Sequence, residues 1–526
     1  MKKNVLWMLA AILTCGLTMS SCATEDNPVG GDESKGKKLT ILYYGNAGGD
    51  LDNCLLGNIR DMYLAGDKGV YDQLNICVQY KNSAKFAKKK GITEQYYLDE
   101  IETAVPGFKF EKGNTYRFLL DPAKGYSKGN PQMQLTDDNI YGGKGNMVDM
   151  GDDNTLLDFL NWAKENCPAE NYMLIMNDHG GGYIPDDDLP KKAAAGTRGI
   201  IYDEGFNQNL TLPGIAKALK QAGIKFQAIY FDVCLMNNLE YLYELSSLTD
   251  YVMASTYTAP GYGGDYKALY KELATNTDFV KAIQNYYDVL SKRWTDSDDP
   301  NAPSYDDNTL TETAELIKGA PAIKAFVDQL CDSYTNGTDN LRAYVDGVTE
   351  NAFKVNNELP YYDISDYLGR IYQNEKIEKE DAKLSNAAFE AYKAVVAPIR
   401  AQAASYYTDI VANYRPGYSA LLAQEGIYFM TSVKYDEQGN ATLLGFTSYD
   451  WNGTAQYYNV KEGKTVAEGK PVKWGSTGAD TYEQLLFDKL TGWSRWLKLN
   501  KAFPNYDSVV GRKWDDTYVA PNIFID

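Results

Sequence analysis

Histidine is almost absent from the sequence: His179 is the only one among 526 residues. A single histidine excludes metal sites built from several histidines, and it excludes phosphorelays that need a second histidine. Because histidine is the side chain whose ordinary pKa lies closest to neutral pH, a general base working there is either His179 or a carboxylate, lysine or tyrosine with a shifted pKa. Any hypothesis of general-base catalysis therefore starts at His179.

Positive charge is also scarce. The chain has 52 lysines and arginines against 71 aspartates and glutamates, which gives a formal net charge of -19. A phosphate backbone requires a basic surface, so the composition argues against nucleic acid as a partner. An acidic surface suits cationic substrates, but it also keeps a protein in solution, and charge alone does not choose between these explanations.

Cysteines are few and irregularly spaced. Beyond the N-terminal segment they are Cys54, Cys77, Cys167, Cys234 and Cys331. None forms a C-x-x-C pair, so the sequence predicts no metal site and no thioredoxin-type centre. The odd number and wide spacing are not those of a disulfide scaffold. An odd number of cysteines leaves at least one thiol outside any disulfide bond, and such a thiol is a candidate reactive group.

Only the N-terminus carries a long apolar run. A basic pair precedes the apolar residues 5–13, which is the pattern of an export signal. Cys22 follows small residues and resembles the lipobox cysteine of bacterial lipoproteins, so residues 1–22 are predicted to be a signal peptide with a lipobox cysteine, and Cys22 is predicted to become the lipidated first residue. Cys15 competes for this role but lies earlier in the apolar run, and an ordinary signal peptide cut near Ser21 is the alternative.

Residues 23–37 are polar and contain several glycines, which predicts a flexible tether. No later segment is apolar enough to span a bilayer, so the lipid is the only expected contact with the membrane. These features predict an exported bacterial lipoprotein at the outer membrane or cell surface.

The first half of the chain alternates apolar strands with amphipathic helices. This alternation is typical of an α/β fold whose mostly parallel sheet is covered on both faces. We predict one such domain over residues 38–294. The predicted strands cover residues 39–44, 74–80, 115–120, 172–176, 199–202, 226–231 and 251–255, and the predicted helices cover 51–65, 153–166, 212–222 and 235–245.

An acidic, proline-containing stretch at 296–307 separates this domain from a part of the chain where helical patterns dominate. Residues 295–526 are predicted to form a C-terminal mixed α/β region that packs on the first domain. Its predicted helices cover 310–335, 339–351, 382–413 and a segment around Trp493 and Trp496, and its predicted strands cover 426–430 and 442–446.

Two reactive side chains each follow a predicted buried strand: His179 comes after strand 172–176, and Cys234 after strand 226–231. The carboxyl ends of parallel strands share one edge of a sheet, where ligands usually bind. The sequence does not say whether these two strands are neighbours. Both residues also have ordinary explanations, because a cysteine after an apolar strand is usually core and a histidine in a glycine-rich loop is often a turn residue.

The surroundings of this pair suit nucleophilic catalysis by a thiol. A cysteine attacks as thiolate, and Cys234 precedes a predicted helix whose N-terminus would favour that charge. An imidazole can take the thiol proton and later give it to a leaving amine. The glycines at 180–182 allow backbone N–H groups to approach a substrate closely, as an oxyanion hole requires.

Two segments closely resemble the clostripain family of cysteine peptidases. One runs from Asn146 to the Asp178-His179-Gly180 turn, and the other is Phe-Asp-Val-Cys-Leu-Met at 231–236. The resemblance extends over roughly residues 38–500. It implies a caspase-like three-layer sandwich and a cysteine endopeptidase.

The same resemblance implies roles for individual residues. Cys234 is the expected nucleophile and His179 its base, and the backbone N–H groups of Gly180 and Cys234 are the expected oxyanion hole. Substrates are expected to be proteins or peptides cleaved after Arg or Lys, with Asp232 as the acidic floor of the S1 pocket. A helix-capping role for Asp232 is the alternative. The sequence requires no cofactor, and the resemblance adds only Ca2+ as a candidate.

The chain departs from the family pattern in two places. Thr256 and Tyr257 stand where an acidic pair often follows Ser255, and Gly264 stands where tryptophan is frequent. These changes concern the outer substrate subsites and the strength of the preference for basic residues rather than the two catalytic residues.

The segment 183–198 is polar, has no apolar period and contains a basic pair followed by small residues, which predicts an exposed loop. An enzyme that cuts after basic residues would cleave itself here, and we expect activation by cleavage of the Lys192–Ala193 bond. Lys191 and Arg198 are the second choices, and a solvated linker is the alternative.

Two other functions fit the same residues. A catalytically weak family member could act as a surface binding protein, but it would be expected to have lost Cys234 or His179. A cysteine acyltransferase would use the same residues and would pass its acyl group to an amine rather than to water.

Overall fold

The structure is a computed structural model. It describes residues 37–47, 51–65, 68–83, 93–104, 110–120, 126–127, 130–131, 137–182, 200–206, 208–256, 259, 261–295, 308–352, 361–403, 434–435, 441–442, 447–449, 456–459, 464–468 and 485–499.

A nine-stranded sheet organises the described chain. In spatial order its strands are β9, β8, β7, β6, β5, β1, β2, β3 and β4. All of them except β3 and β8 run in the same direction, and the five in the centre are mutually parallel. The strands are β1 Lys37–Asn46, β2 Leu74–Lys81, β3 Thr115–Leu120, β4 Ile140–Tyr141, β5 Ala169–Asn177, β6 Phe226–Asp232, β7 Thr249–Ser255, β8 Asn308–Glu312 and β9 Ile399–Gln402.

Helices cover both faces of this sheet, which is why its central strands are near-continuous apolar runs rather than alternating ones. In β1, Leu42 and Tyr44 belong to the apolar core on one face, and Ile41 and Tyr43 belong to the core on the other. The helices are α1 Asp52–Leu64, α2 Lys68–Gln73, α3 Glu94–Ala104, α4 Asp153–Asn166, α5 Leu212–Ala222, α6 Leu239–Leu245, α7 Tyr266–Thr275, α8 Phe279–Thr295, α9 Thr313–Asn336, α10 Asp339–Asn351, α11 Ile364–Tyr372, α12 Glu375–Glu380, α13 Ala382–Val396, α14 Leu486–Thr491 and α15 Trp493–Leu499.

The two faces receive different parts of the chain. Helices α1, α2, α3, α7 and α8 contribute to one core. Helices α4, α5 and α6 contribute to the other core, together with the helices that follow residue 308. This three-layer arrangement confirms the predicted α/β class with a mostly parallel sheet.

Short antiparallel pairs lie outside the sheet. They are formed by Tyr126–Ser127 with Asn130–Pro131, Ile200–Asp203 with Gln208–Leu210, Tyr361–Asp363 with Thr447–Tyr449, Lys434–Tyr435 with Ala441–Thr442, and Gln456–Asn459 with Lys464–Glu468. A short 3-10 helix, Asp137–Asn139, precedes β4.

Three predicted helices have different limits in the structure. The helix predicted at 235–245 begins at Leu239, and the helix predicted at 310–335 begins at Thr313, after β8. The helix predicted at 382–413 ends at Val396, close to Pro398, and is followed by β9. Proline cannot donate the backbone hydrogen bond that a continuing helix needs. The predicted strand at 426–430 lies outside the described residues.

Candidate active site

The strands that precede the two candidate catalytic residues are neighbours. β5 and β6 are parallel, and Asn177 at the end of β5 pairs in register with Asp232 at the end of β6. His179 and Cys234 each lie two residues beyond this pair. Neighbouring strands are about 4.8 Å apart, so the two loops leave the same edge of the sheet side by side.

Gly180 brings the two loops into contact. A Cβ atom at this position would collide with the carbonyl oxygen of Cys234 and with the side chain of Val233. Only glycine therefore allows the backbone after His179 to pack against the backbone of the Cys234 loop. Gly180 also forms an antiparallel bridge with Ile200, which ties in the hairpin Ile200–Leu210.

Both candidate catalytic side chains are largely buried. His179 is 6% exposed and Cys234 is 7% exposed. The Cys234 Sγ lies 3.8 Å from the carbonyl oxygen of Ala259, to which a thiol can donate a weak hydrogen bond. Burial of this kind limits water at the sulfur and strengthens electrostatic interactions with it.

The residue after Cys234 has an unusual backbone. Leu235 has a φ of 65°, in the left-handed region that costs a side-chain-bearing residue about 1–2 kcal/mol. Such strain is found preferentially at functional sites. The turn is closed by Asn238, whose side chain donates to the carbonyl of Leu235 (3.1 Å) and accepts from the N–H of Tyr241 (3.1 Å).

This turn corrects the helix predicted directly after Cys234. Asn238 is the N-cap of α6, so the turn at 235–238 separates Cys234 from the first helical residue, Leu239. The N–H of Tyr241 in the first turn is already bonded to the cap. Cys234 is therefore separated from the N-terminus of α6, which Asn238 caps, and the predicted stabilisation of its thiolate by this helix is not supported.

Asp232 lies in a buried polar network beside this turn. Its Oδ2 accepts hydrogen bonds from Asn177 Nδ2 (2.6 Å), the hydroxyl of Tyr266 (2.5 Å) and the backbone N–H of Gly264 (3.0 Å). Its Oδ1 accepts a long bond from the hydroxyl of Tyr230 at 3.4 Å. Burial raises the pKa of Asp232, and these hydrogen bonds oppose the rise. Because Asn238 caps α6, none of these contacts is the helix cap considered as the alternative.

The loop before α7 is shaped to this carboxylate. Gly263 has a φ of 61°, and a Cβ there would collide with Asp232 Oδ2. A Cβ on Gly264 would collide with the hydroxyl of Tyr286. A tryptophan at 264 would therefore need Tyr286 to move, which gives a packing reason for glycine at this position.

A second polar network anchors the hairpin that touches Gly180. Asn46, at the end of β1, donates to Asp178 Oδ2 (2.8 Å) and to the carbonyl of Tyr202 (2.7 Å). Lys81, at the end of β2, forms a buried ion pair with Asp203 at 2.5 Å. Polar residues at four neighbouring strand ends thus hold the rim of the sheet together.

Sequence reasoning had not identified these supporting residues. Asn177, Tyr266, Asn46 and Lys81 contact the site through pairings that depend on strand order. The one sequence signal for these residues was a polar side chain at the end of an apolar strand, a position that Asn46, Lys81 and Asn177 share.

The comparisons with known proteins agree with the geometry. A model of the clostripain family, a family of peptidases, matches residues 94–453. The chain belongs to the clostripain family. Membership confirms the resemblance that the segments around His179 and Cys234 indicated.

Individual relatives of this clostripain-family chain have low sequence identity to it. Clostripain from Hathewaya histolytica is 27% identical over 221 residues, which are 40% of this chain and 37% of the relative. A secreted C11 cysteine protease from Bacteroides thetaiotaomicron, solved with an irreversible peptide inhibitor, is 16% identical with a TM-score of 0.49 and covers 87% of this chain and 99% of its own. An inactive zymogen C11 protease from Parabacteroides distasonis is 16% identical with a TM-score of 0.44 and covers 90% of this chain and 97% of its own.

Several predictions for this clostripain-family chain concern residues beyond the described ranges. They are the lipidation site Cys22, the cleavage site Lys192–Ala193 and its second choices Lys191 and Arg198. Among the described residues, no cluster of three or more His, Cys, Asp or Glu side chains could hold a metal ion, and calcium binding stays a prediction. Within the same residues, no helix combines the length and apolarity needed to cross a bilayer.

Proposed function

We propose that this protein is an exported, lipid-anchored cysteine endopeptidase that cleaves proteins or peptides after Arg or Lys. The observation that carries the proposal is the in-register pairing of Asn177 with Asp232, because it sets the loops of His179 and Cys234 side by side. The packing of Gly180 against the Cys234 carbonyl supports a compact site. Membership of the clostripain family supports the same chemistry.

In the proposed reaction, the imidazole of His179 takes the proton of the Cys234 thiol, and the sulfur attacks the scissile carbonyl carbon. The imidazolium then gives its proton to the amine as the carbon–nitrogen bond breaks, which leaves a thioester. Water attacks the thioester while His179 again accepts a proton, and the acid product leaves with the thiol restored. The N–H groups of Gly180 and Cys234 would bind the oxyanion of each tetrahedral intermediate.

Asp232 would provide the preference for a basic residue at P1. A buried carboxylate is stabilised when a guanidinium or ammonium group pairs with it. Three donors occupy Oδ2, but Oδ1 accepts one long bond and has capacity for another donor. The hydroxyl of Tyr266 and the amide of Asn177 would hold the carboxylate in place.

The anchor and the activation step belong to the same proposal. Lipidation at Cys22 would keep the enzyme at the membrane, and cleavage at Lys192–Ala193 would convert a single-chain precursor into the active form. The polar composition of residues 183–198 supports an accessible cleavage site.

The test is to treat the purified protein with a lysine or arginine chloromethylketone and to measure hydrolysis of peptides with a basic P1 residue. The wild type should be labelled at Cys234 and inactivated. Cys234→Ala and His179→Ala should each lose about 10⁴-fold or more in kcat/KM, because the two residues act as a unit. Cys331→Ala is the matched control: Cys331 lies in α9 and has no part in the proposed reaction, so it should be replaceable with full activity.

Three outcomes would contradict the proposal. Full turnover by either active-site variant would exclude the Cys234–His179 pair. A wild type that binds peptides and hydrolyses none would support the surface-binding function instead. Transfer of the trapped acyl group to an added amine in preference to water would identify an acyltransferase.

A further inference from the structure

We propose that Cys77 and Cys167 form a buried disulfide bond in the mature protein. The inference rests on the proposed export of the chain, but it does not depend on peptidase activity. Cys167 lies two residues before the first residue of β5, at the end of this strand opposite the candidate active site.

The two sulfur atoms lie 2.6 Å apart. Non-bonded carbon atoms sit about 3.5–4.0 Å apart, and sulfur is larger than carbon, so this separation is too short for two thiols in simple contact. A disulfide bond is about 2.05 Å long, and a small movement of either side chain closes the difference. The exposed fraction is 0% for Cys77 and 1% for Cys167, so no solvent separates them.

The backbone holds both cysteines in place. Cys77 lies in the middle of β2 and pairs with Leu42 on one side and Leu119 on the other. Cys167 caps the C-terminus of α4, and its carbonyl accepts a hydrogen bond from the hydroxyl of Thr40 at 2.6 Å. The short separation therefore follows from the packing of the sheet against α4 and does not depend on a mobile loop.

Other roles for this pair are poorly supported. Burial and the neighbouring Cys167 raise the pKa of the Cys77 thiol, which disfavours the thiolate that a nucleophile or a metal ligand needs. No third potential ligand joins them among the described residues. Two buried thiols at this distance suit oxidation to a disulfide.

The bond would form by thiol–disulfide exchange with an exported dithiol oxidase that carries a disulfide of its own. One protein thiolate attacks the disulfide of the oxidase and releases one oxidase thiol, and the second protein thiol then displaces the other. The protein loses two electrons and two protons, and the disulfide of the oxidase is reduced to two thiols. Because both sulfurs are buried in the folded chain, the exchange must precede the packing of α4 on the sheet.

A bond between Cys77 and Cys167 differs from what the cysteine spacing indicated. The spacing argued against a disulfide scaffold, and a single bond that closes a loop between residues 90 apart is not such a scaffold. It is a cross-link that restricts the unfolded chain. Pairing these two leaves Cys54, Cys234 and Cys331 as thiols in the mature chain, so the proposed nucleophile stays reduced.

Peptide mapping tests the bond directly. The full chain is exported into a bacterial envelope, purified without reductant, unfolded with iodoacetamide present and digested with trypsin. Cleavage after lysine would place Cys77 in the peptide 69–81 and Cys167 in the peptide 165–191, and neither peptide contains another cysteine. We expect one cross-linked species whose mass is the sum of the two peptides less two hydrogens, and reduction should convert it into both peptides. The peptides that contain Cys54 and Cys331 should be alkylated without reduction.

A thermal measurement provides an independent test. Wild-type protein that is unfolded, reduced and refolded in reductant should melt about 5 °C below wild-type protein kept without reductant, because the loop-closing constraint disappears. Cys77→Ala and Cys167→Ala should already have the lower Tm and should not respond to this treatment, whereas Cys331→Ala should respond like the wild type. Recovery of both peptides in separately alkylated form from the unreduced wild type would overturn the proposal, whatever the peptidase assay shows.

Discussion

Asp232 is a buried carboxylate whose negative charge suits the binding of a cation. It lies at the end of a central strand, where hydrogen bonds from Asn177 and Tyr266 offset part of the cost of burying it. Because burial still raises its pKa, the carboxylate would be better satisfied with a cation beside it. We interpret the network as a preformed receptor for a basic P1 side chain.

Replacing Asp232 by asparagine tests this role with little change of shape. Asp232→Asn should lose at least about 10²-fold in kcat/KM on peptides with Arg or Lys at P1, because the buried cation of the substrate would lose its counter-ion. Peptides with an uncharged P1 residue should be affected much less. Asp250→Asn is the control and should behave as wild type, because Asp250 lies on β7 and forms an exposed ion pair with Lys225. A variant that kept its preference for basic P1 residues would place the S1 acid elsewhere.

At the scale of single elements, helix α1 begins with a carboxylate in an unfavourable position. Asp52 is the first residue of α1, where the helix dipole favours a negative charge. It is nevertheless buried, and burial raises its pKa to about 6, although a hydrogen bond from the N–H of Ser83 (3.0 Å) opposes the rise. Desolvation therefore outweighs the dipole at this helix end.

The raised pKa makes stability depend on pH in a definite direction. The folded state holds the Asp52 proton more tightly than the unfolded state does, so binding of this proton stabilises the fold. This stabilisation is complete below the unfolded pKa, near 4, and is lost as pH rises through about 6. Asp52→Asn, which imitates the protonated form, should raise the free energy of unfolding by up to about 3 kcal/mol at pH 8 and by little at pH 4.

Denaturant unfolding of Asp52→Asn and wild type at pH 4, 6 and 8 measures this difference. Asp339→Asn is the matched control, because Asp339 is also the first residue of a helix, α10, but its side chain is 98% exposed. The control should show no such gain at pH 8. An Asp52 variant that is less stable than wild type at pH 8 would contradict the assignment of a costly buried charge.

The buried elements with the clearest apolar runs were predictable from the sequence, but helices α3, α7 and α8 were not predicted. β3, α4, α5 and α10 have the predicted limits, and the central strands differ by a few residues at their ends. β8 was missed because its sequence, Asn-Thr-Leu-Thr-Glu, is short and largely polar, and β9 was hidden inside a predicted helix. A short strand near the margin of a sheet depends on the neighbours that it pairs with, and a single sequence does not identify these neighbours.

The candidate site was predictable only in part, for a similar reason. His179 and Cys234 could be selected because each stands just after the end of an apolar strand, whereas Asp232 was selected only through the family resemblance. That β5 and β6 are adjacent is a property of strand order, and so are the contacts of Asn177 and Tyr266 with Asp232. The turn at Leu235 was mistaken for helix because its residues continue the helical apolar spacing, while the helix cap, Asn238, lies further along.

At the scale of the whole molecule, the segment that contains Lys192 joins parts of the chain that the sheet keeps together. The described residues on either side of it meet where Gly180 pairs with Ile200. Upstream of the segment lies β5 and downstream lies β6, and these two strands are parallel neighbours. The buried pair of Lys81 with Asp203 adds a link between the upstream and downstream parts. A break in this segment would therefore leave the fold connected.

We predict that the wild-type protein cleaves itself at Lys192–Ala193 and that both fragments stay associated. Incubated protein should give two bands on a denaturing gel, with a new N-terminus at Ala193, and one peak of unchanged volume in native gel filtration. Cys234→Ala should stay a single chain, because the cut requires the proposed nucleophile. Lys192→Gln should slow the cut or move it to Lys191 or Arg198, whereas Lys217→Gln, at an exposed lysine on α5, should process normally.

The association of the fragments follows from the sheet and can be weakened at one residue. Asp203→Asn leaves the ammonium of Lys81 buried without its counter-ion, which typically costs about 3–5 kcal/mol. Processed Asp203→Asn protein should therefore separate into fragments at a lower urea concentration than processed wild type, while the rate of the cut itself should change less than the stability. A wild type that remains one chain while fully active would exclude activation by this cleavage, and fragments that separate in native buffer would contradict the account of how β5 and β6 hold them together.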